Sequence, residues 1–493
     1  MKIVIAPDSY KECLSALQVA TLIESGFREI FPGADYIKVP VADGGEGTVE
    51  AMVEATRGTI VPVTVRGPLG EAVEAFYGLT GDGGTAVIEM ATASGLGLVP
   101  PEQRNPLRTT SYGTGELIRS ALDAGARRFI LGIGGSATNE GGAGMLQALG
   151  VRLLDKQGQE IEPTGLGLGK LARIDLSGID PRLKDTVIDV ACDVDNPLCG
   201  PRGASAIFGP QKGATPEMVQ QLDGYLQNFA AITLRDLGID MAHISGAGAA
   251  GGMGGGMYAF LRGRLRPGSE IVTEAVGLDA LVRDADLVIT GEGRIDGQTA
   301  FGKAPVGVAR VAKRYGRPVI AIGGSLRHDA HVVHEHGIDA IFSVLYRPCS
   351  IGEALAEGTD NLRTAARNVA AGLALWQRGR ADDRRLPCQL AQPPGVQHPV
   401  CLRHGLFLGH IRASAPQGYS LGFATGQYFC ICHCGPVLCL YFCFAPLCVP
   451  PGGRTLFHHG GNPAALTGQR AGTHAPERAV QLEHFNVENI LKG

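Results

Sequence analysis

The sequence predicts an α/β fold with mostly parallel strands, and two patterns support this prediction. Short apolar runs of strand length alternate with longer segments whose apolar residues recur at helical spacing. Loops rich in glycine or in acidic residues follow several of the apolar runs. In open parallel sheets, ligands bind beyond the carboxyl ends of the strands, where such loops converge. We therefore expect a large ligand cleft between two α/β domains.

The predicted elements can be followed in chain order. The first strand covers residues 1–6, and the helix after it covers 14–31, with Ser9 or Ser15 as its cap. Further strands are predicted at 128–131, 186–191, 285–290, 318–322 and 340–345. Further helices are predicted at 144–149, 305–314 and 351–375. Alternation of this kind produces parallel sheets covered by helices.

Composition and charge exclude several classes of protein. The chain has 493 residues, with 44 Lys and Arg against 48 Asp and Glu, so a broad basic surface for nucleic acid is not expected. The opening residues, MKIVIAPDS, have too short an apolar run for a signal peptide. Before residue 379 the cysteines are few, as in reduced compartments: Cys13, Cys192, Cys199 and Cys349. We expect a cytoplasmic protein whose residues 1–378 bind no membrane.

The tract GIGGSATNEGGAGM, residues 132–145, directly follows a predicted strand. Glycine allows backbone N–H groups to approach an anion, and a helix beginning just beyond adds the positive end of its dipole. This pattern predicts a phosphate site at Gly134, Gly135 and Ser136. A tight turn with close helix packing would also explain the tract.

The same tract allows a dinucleotide-binding alternative. Gly132, Gly134 and Ala137 fit G-x-G-x-x-A after a strand, and Asp155 lies about where a ribose-binding acid would. The tract continues with Gly141 and further glycine, however, which would weaken the required helix by about 1 kcal/mol per residue. A dehydrogenase using NAD is therefore kept as the rival function.

Two further stretches are candidates for binding phosphate. The tract SGAGAAGGMGGGM, residues 245–257, predicts a second cradle at Gly251 and Gly252, with a hinge or close packing as the alternative. Residues 297–304, GQTAFGKA, resemble a P-loop, but Ala304 replaces the hydroxyl residue that would hold magnesium. Lys303 is kept as a candidate for binding phosphate.

Carboxylates recur in predicted loops just past the strands, where N-capping or turn formation would also explain each one. They are Asp8, Asp43, Glu46, Asp193, Glu292 and Asp296. A kinase needs oxygen ligands for magnesium and a base that accepts the proton of the acceptor hydroxyl. Lys11 and Arg294, in the same loops, suit a carboxylate or a developing phosphoryl charge.

Seven motifs, in order along the chain, resemble those of the bacterial type 1 glycerate kinase family. They are APDSYKECLSA (6–16), VADGGEGT (41–48), GIGGSATNEGG (132–142), CDVDNPLCG (192–200), FGPQKGA (208–214), GAGAAGGMGGG (246–256) and GEGRID (291–296). The resemblance runs from Met1 to about Leu375. It departs at Cys13 and Glu140, where the family more often has Ser and Asp.

The resemblance implies ATP-dependent phosphorylation of D-glycerate, usually on the 2-hydroxyl, with the 3-phosphoglycerate product as an alternative. It also implies a Rossmann-like, flavodoxin-like domain from residues 1–60 and 280–378, and an inserted α/β domain at 61–279. Together with the residue patterns, it leads us to expect Asp193 as the base and Mg²⁺ at Asp43, Glu292 and Asp296. Lys11 and Arg294 would hold the glycerate carboxylate or the transferring phosphoryl group.

Residues 379–493 differ in composition from the preceding residues, because they mix Pro, Gly, His and Cys without sustained helical or strand periodicity. A membrane anchor at 428–450 is disfavoured by Pro436 and Pro446. A metal site lacks the second spaced pair that a zinc finger requires; its candidate ligands are Cys430, Cys432, His433 and Cys434. We expect a non-native tail. For residues 1–378, the remaining alternative function is sensing of a ligand without catalysis.

Overall fold

The structure is a computed structural model that describes residues 1–383, 429–434 and 437–442. The chain divides into two compact units, residues 1–391 and 392–493. In the second unit, the antiparallel pair Phe429–Cys434 and Val437–Phe442 is described. The predictions for the remainder of 379–493, including a membrane anchor at 428–450, lie largely outside the described residues.

Within the described residues, the strands of the first unit are β1 (Lys2–Ile5), β2 (Asp35–Lys38), β3 (Thr59–Arg66), β4 (Ala72–Leu79), β5 (Thr85–Glu89), β6 (Arg128–Gly132), β7 (Arg152–Leu154), β8 (Arg173–Asp175), β9 (Val187–Ala191), β10 (Arg264–Arg266), β11 (Leu287–Ile295), β12 (Val319–Leu326) and β13 (Ala340–Ser343).

The α-helices over the same part of the chain are α1 (Ala16–Arg28), α2 (Thr48–Thr56), α3 (Ala91–Ser94), α4 (Tyr112–Asp123), α5 (Ala143–Ala148), α6 (Gly165–Leu168), α7 (Ala204–Phe208), α8 (Pro216–Leu237), α9 (Ala249–Leu261), α10 (Gly268–Ala275), α11 (Leu278–Val282), α12 (Ala304–Lys313), α13 (Ile351–Ala356) and α14 (Gly358–Asp383). None of the described helices is both long enough and apolar enough to cross a membrane.

The first sheet is fully parallel, with the order β13-β12-β11-β1-β2. Its strands come from both ends of the first unit, and Ile3 of β1 pairs with Leu287 of β11. The order is that of flavodoxin-like folds, which bind ligands where the strand order reverses, here between β1 and β11. The predicted α/β fold class and its flavodoxin-like sheet are confirmed.

The second sheet has the order β10-β9-β6-β5-β4-β3. Strands β5, β6, β9 and β10 are parallel, whereas β3 and β4 add an antiparallel hairpin at one edge. The hairpin was not predicted. Pro62 lies within β3, and proline in a strand is tolerated at the edge of a sheet, which is where β3 lies.

Helix α1 shows how local sequence sets an element that supports the cleft. Ser15 caps it: its hydroxyl accepts from Gln18 N, and the Gln18 side chain accepts from Ser15 N. The helix buries Val19, Ile23 and Phe27 in the core that it shares with α14 and the first sheet. Ser15 is therefore the cap.

The two sheets share one apolar core between them. This core contains Val4 and Val288 of the first sheet together with Val87, Ile130 and Ala191 of the second. The two sheets take their strands from the chain segments expected for two domains. We propose the division 1–60 with 280–378 and 61–279 on this basis, with an apolar interface that restrains relative motion.

Three predicted boundaries were wrong. Residues 291–295 extend β11 and are not a loop, because β12 continues beside them and pairs Arg294 with Ser325. The second glycine tract is not simply a loop, since helix α9 begins within it at Ala249. The segment 351–375 forms two helices, α13 and α14, instead of one.

Candidate active site

A cleft of about 880 Å³ lies where the carboxyl ends of strands from both sheets converge. It is lined by residues that follow β2, β5, β6 and β9, and by Lys11 in the loop after β1. This is the position in which parallel sheets bind ligands. Of the sequence-predicted site residues, it brings together Lys11, Asp43, Gly134, Gly135, Ser136 and Asp193.

Glycine allows the loops of the two sheets to meet at the floor of the cleft. Gly44 has a φ of +89°, and an added β-carbon would lie 2.4 Å from the Ala191 β-carbon. A β-carbon on Gly132 would lie 2.5 Å from the Gly44 carbonyl oxygen, and one on Gly268 would lie 1.9 Å from the Asp43 oxygen. Glycine at 132 is therefore explained by the close approach of another backbone.

Residues 133–142, named the phosphate loop after the prediction made for them above, line the cleft at Ile133 to Ser136 and present backbone N–H groups there. Gly134 and Gly135 are exposed, and Gly135 has a φ of +71°. Hydrogen bonds from Leu96 N to the Gly135 oxygen and from Ala137 N to the Ser94 oxygen anchor the loop. Among the described residues, the N–H groups of Gly134, Gly135 and Ser136 have no hydrogen-bond partner. Successive unpaired amides of this kind form an anion site.

The second predicted cradle lies behind the wall of the cleft. Gly251 and Gly252 are buried with positive φ, and a β-carbon on Gly251 would lie 2.0 Å from the Thr138 oxygen. Gly141 N donates to the Gly251 oxygen, so the two glycine tracts pack against each other. Ala249 and Ala250 line the cleft instead. The direct phosphate contact of Gly251 and Gly252 stays a prediction.

Asp193 and Asp43 face the cleft from different sheets. Gly268 N donates to Asp193 Oδ1 at 3.1 Å, and Gly45 N donates to Asp43 Oδ1 at 3.0 Å, so both carboxylates are oriented by backbone. The Asp193 side chain is accessible from the open cleft, and the walls of the cleft bury part of it. This partial burial, and then the charge of Asp43, raises the pKa of Asp193 to about 6. Such a carboxylate is ionised at neutral pH and still basic enough to accept a proton.

Asp8 and Glu292 add two buried carboxylates at the switch point of the first sheet. Burial, followed by the charge of Asp43, raises the pKa of Asp8 to about 7. Burial also raises the pKa of Glu292, while Thr299 and Lys303 oppose this rise. Carboxylates that repel one another in this way favour the arrival of a cation.

Lys303, Glu292, Asp296 and Arg294 form an ion-pair cluster outside the lining of the cleft. Lys303 Nζ lies 3.5 Å from Glu292 Oε2 and 3.9 Å from Asp296 Oδ1, and Arg294 Nε lies 3.3 Å from Asp296 Oδ2. The Arg294 side chain is 60% exposed. Binding of phosphate by Lys303 and of substrate by Arg294 stay predictions.

Among the predicted metal ligands, Asp43 is the one whose position suits a metal ion in the cleft. In the described part of the chain, no three His, Cys, Asp or Glu side chains converge on one cation position. Glu292 accepts from the Thr299 hydroxyl and Asp296 accepts from Gln298 N, so both have protein partners. Mg²⁺ typically uses one or two carboxylates together with substrate phosphates. Asp43 at the cleft wall fits that arrangement.

Sequence reasoning assigned no role to two residues of the cleft. Lys212 is buried, and its Nζ donates to the Ser136 hydroxyl. The sequence feature that could have identified Lys212 is the motif FGPQKGA, which was quoted above without a role for this residue. Glu89 accepts from Val49 N at 3.0 Å, so a carboxylate of the second sheet caps helix α2. Burial raises the pKa of Glu89 to about 7. The sequence feature that could have identified Glu89 is its position as the last residue of β5, TAVIE.

The geometry does not support the dinucleotide alternative. Gly132 ends β6, but the next helix begins only at Ala143 and has six residues. Asp155 accepts from Gln157 N and Gln159 N, both at 2.9 Å, in its own turn, and it does not line the cleft. The helix and ribose partner that dinucleotide binding requires are both missing from these positions.

Comparison with known proteins identifies the family of the chain. The sequence model of the glycerate kinase family matches residues 3–374. The chain belongs to the glycerate kinase family. This family is one of phosphotransferases, as the seven motifs implied.

Individual members of the glycerate kinase family match over nearly their whole length. Glycerate 2-kinase of Escherichia coli K12 is 60% identical over 378 residues, which cover 77% of this chain and 99% of the relative. Glycerate kinase of Haemophilus influenzae is 59% identical over 374 residues, covering 76% and 99%. A crystal structure assigned to glycerate kinase 2 of Salmonella typhimurium LT2 has 63% identity and a TM-score of 0.72, covering 77% and 99%.

Proposed function

We propose that the protein is a glycerate 2-kinase, which transfers the γ-phosphoryl group of ATP to the 2-hydroxyl of D-glycerate and releases ADP. The supporting observation is that three unpaired amides and the Asp193 carboxylate share one cleft. The amides suit the phosphates, and the carboxylate suits the hydroxyl that attacks. Glycerate kinases at 59–60% identity support the same reaction.

The proposed transfer uses the phosphate loop and the Asp193 carboxylate, both of which hydrogen bonds already orient, together with the exposed Lys11. The N–H groups of Gly134, Gly135 and Ser136 hold phosphate oxygens, and Lys11 holds the glycerate carboxylate at the mouth of the cleft. Asp193 accepts the proton of the 2-hydroxyl as its oxygen attacks the γ-phosphorus and the bond from that phosphorus to the bridging oxygen of ADP breaks. Positioning and charge stabilisation provide most of the catalysis in such transfers.

We propose Mg²⁺ as the cofactor that accompanies ATP. Asp43 would hold the ion together with phosphate oxygens. Glu292 and Asp296 would act either as further ligands or as groups that support the ligands. When bound, the ion neutralises charge on the β- and γ-phosphates. Glu292 and Asp296 also form ion pairs with Lys303 and Arg294.

Phosphorus NMR of the product tests the proposed function directly. Protein incubated with ATP, Mg²⁺ and D-glycerate should yield ADP and 2-phospho-D-glycerate. Appearance of 3-phosphoglycerate would overturn the choice of hydroxyl while leaving the kinase class intact. Binding of glycerate without release of ADP would instead favour the ligand-sensing alternative.

Asp43→Asn should raise the Mg²⁺ concentration required for half-maximal activity by about tenfold, or about 1.4 kcal/mol, because it removes a charged ligand. Titration of Mg²⁺ at saturating ATP measures the change. Glu46→Gln, an exposed acid in the same loop, is the matched comparison and should have a smaller effect. A larger effect at Glu46 would reassign the metal ligand.

A chain ending at Asp383 should keep a kcat close to that of the full chain, because the removed residues lie beyond the family match. The family match ends at residue 374, and the proposed site residues lie between Lys11 and Lys303. Steady-state kinetics on the two proteins make the comparison. A tenfold or greater loss in the shorter chain, with unchanged thermal stability, would show that later residues take part in activity.

A further inference from the structure

Lys212 lies beneath the phosphate loop, with only 2% of its surface exposed. Its Nζ donates to Ser136 Oγ at 2.7 Å and to the Thr138 carbonyl oxygen at 2.6 Å. Lysine is rarely buried so completely unless it is paired. The partners of the Lys212 ammonium are these two uncharged oxygens. Both of these hydrogen bonds go to the phosphate loop.

When Lys212 is protonated, the chemistry of these partners fixes the direction of each hydrogen bond. A carbonyl oxygen only accepts, and a lysine ammonium only donates, so Ser136 Oγ accepts from Lys212. The Ser136 hydroxyl then keeps a single proton, which must point away from the lysine. Ser136 lines the cleft next to the unpaired amides. Its proton is therefore available to an anionic oxygen in the cleft.

The charge state of Lys212 responds to what occupies the cleft. Burial lowers the pKa of Lys212 to about 7, and the negative charge of Glu140 opposes this fall. A bound triphosphate adds nearby negative charge, which favours the ammonium form. Binding of the nucleotide and the charge on Lys212 thus reinforce each other.

We propose that Lys212 is a positioning residue for phosphoryl transfer, and that it acts through Ser136 by holding that hydroxyl as a donor to a phosphate oxygen of the nucleotide. The proposal rests on the proposed function in that the nucleotide occupies the cleft. It differs from a purely structural role, in which Lys212 would only tie the loop together through the Thr138 carbonyl.

A double-mutant cycle separates these two roles. Ser136→Ala removes the hydroxyl, and Lys212→Met removes the charge while keeping a side chain of similar length. Each single variant should lower kcat by about 10²-fold, as expected for one lost donor to a transition-state oxygen. If Lys212 acts through Ser136, the double variant should lose less than about tenfold more than the worse single variant. Losses that multiply to about 10⁴-fold would overturn the proposal, as would normal activity in Lys212→Met.

Two further measurements keep the test decisive. If Lys212→Met does not fold, Ser136→Thr should recover most of the activity lost in Ser136→Ala, whereas equal loss in both would overturn the proposal. The same cycle is measured in the dissociation constant of Mg·ATP by calorimetry. A wild-type protein that binds ATP but does not phosphorylate glycerate would defeat the proposed function, and the binding cycle would still decide the role of Lys212.

Discussion

Replacing Asp193 with asparagine is expected to lower kcat by about 10²- to 10⁴-fold, the usual contribution of a positioned base. Asparagine keeps the shape of the side chain and can still accept from Gly268 N, but it cannot take the proton of the hydroxyl. The Michaelis constants for ATP and glycerate should change little, because the lost interaction matters mainly in the transition state. Steady-state measurement of ADP release checks both quantities.

Asp195→Asn provides the matched control for this substitution. Asp195 lies two residues further along the same loop, is exposed, and pairs with Arg202 instead of facing the cleft. Its kcat should stay near that of the wild type, since exposed ion pairs contribute little. A higher Michaelis constant at unchanged kcat in Asp193→Asn would assign Asp193 to substrate binding and remove it as the base.

Gly44→Ala is expected to lower the free energy of unfolding by about 2–5 kcal/mol and to impair activity. Part of the loss, about 1–2 kcal/mol, comes from the left-handed backbone at a φ of +89°. The rest comes from overpacking, because the new β-carbon would lie 2.4 Å from that of Ala191. Relief of the clash would move the neighbouring Asp43. Urea denaturation and steady-state kinetics measure the two effects.

Gly83→Ala isolates the backbone contribution. Gly83 also has a positive φ, of +68°, but an added β-carbon would meet no atom within 4 Å. It should lose only about 1–2 kcal/mol and keep its activity. Equal losses of stability in the two variants would show that the close approach at the floor of the cleft does not constrain Gly44.

The fold class could be predicted because strand and helix periods are local signals. The strand at 128–131 and the helix at 305–314 were placed within one residue at each end, as β6 and α12. The extension of β11 to Ile295 could not be predicted from its own residues. Glycine and charged residues are poor strand formers, and it is the pairing with β12 that holds them extended.

The site was predictable in part for a similar reason. Gly134, Gly135 and Asp193 follow predicted strands, so the rule about carboxyl ends placed them in the cleft. Gly251 could not be separated from them by sequence, because close packing and binding of phosphate both require glycine. Lys212 lies 76 residues from Ser136 along the chain, and only the folded structure shows that the two side chains form a hydrogen bond.

The most direct test is a crystal structure of the protein with a non-hydrolysable ATP analogue, Mg²⁺ and D-glycerate. We predict phosphate oxygens within hydrogen-bond distance of the amides of Gly134, Gly135 and Ser136, and the glycerate 2-hydroxyl within hydrogen-bond distance of Asp193. A triphosphate bound away from the phosphate loop, or a glycerate hydroxyl out of reach of Asp193, would contradict the proposed site.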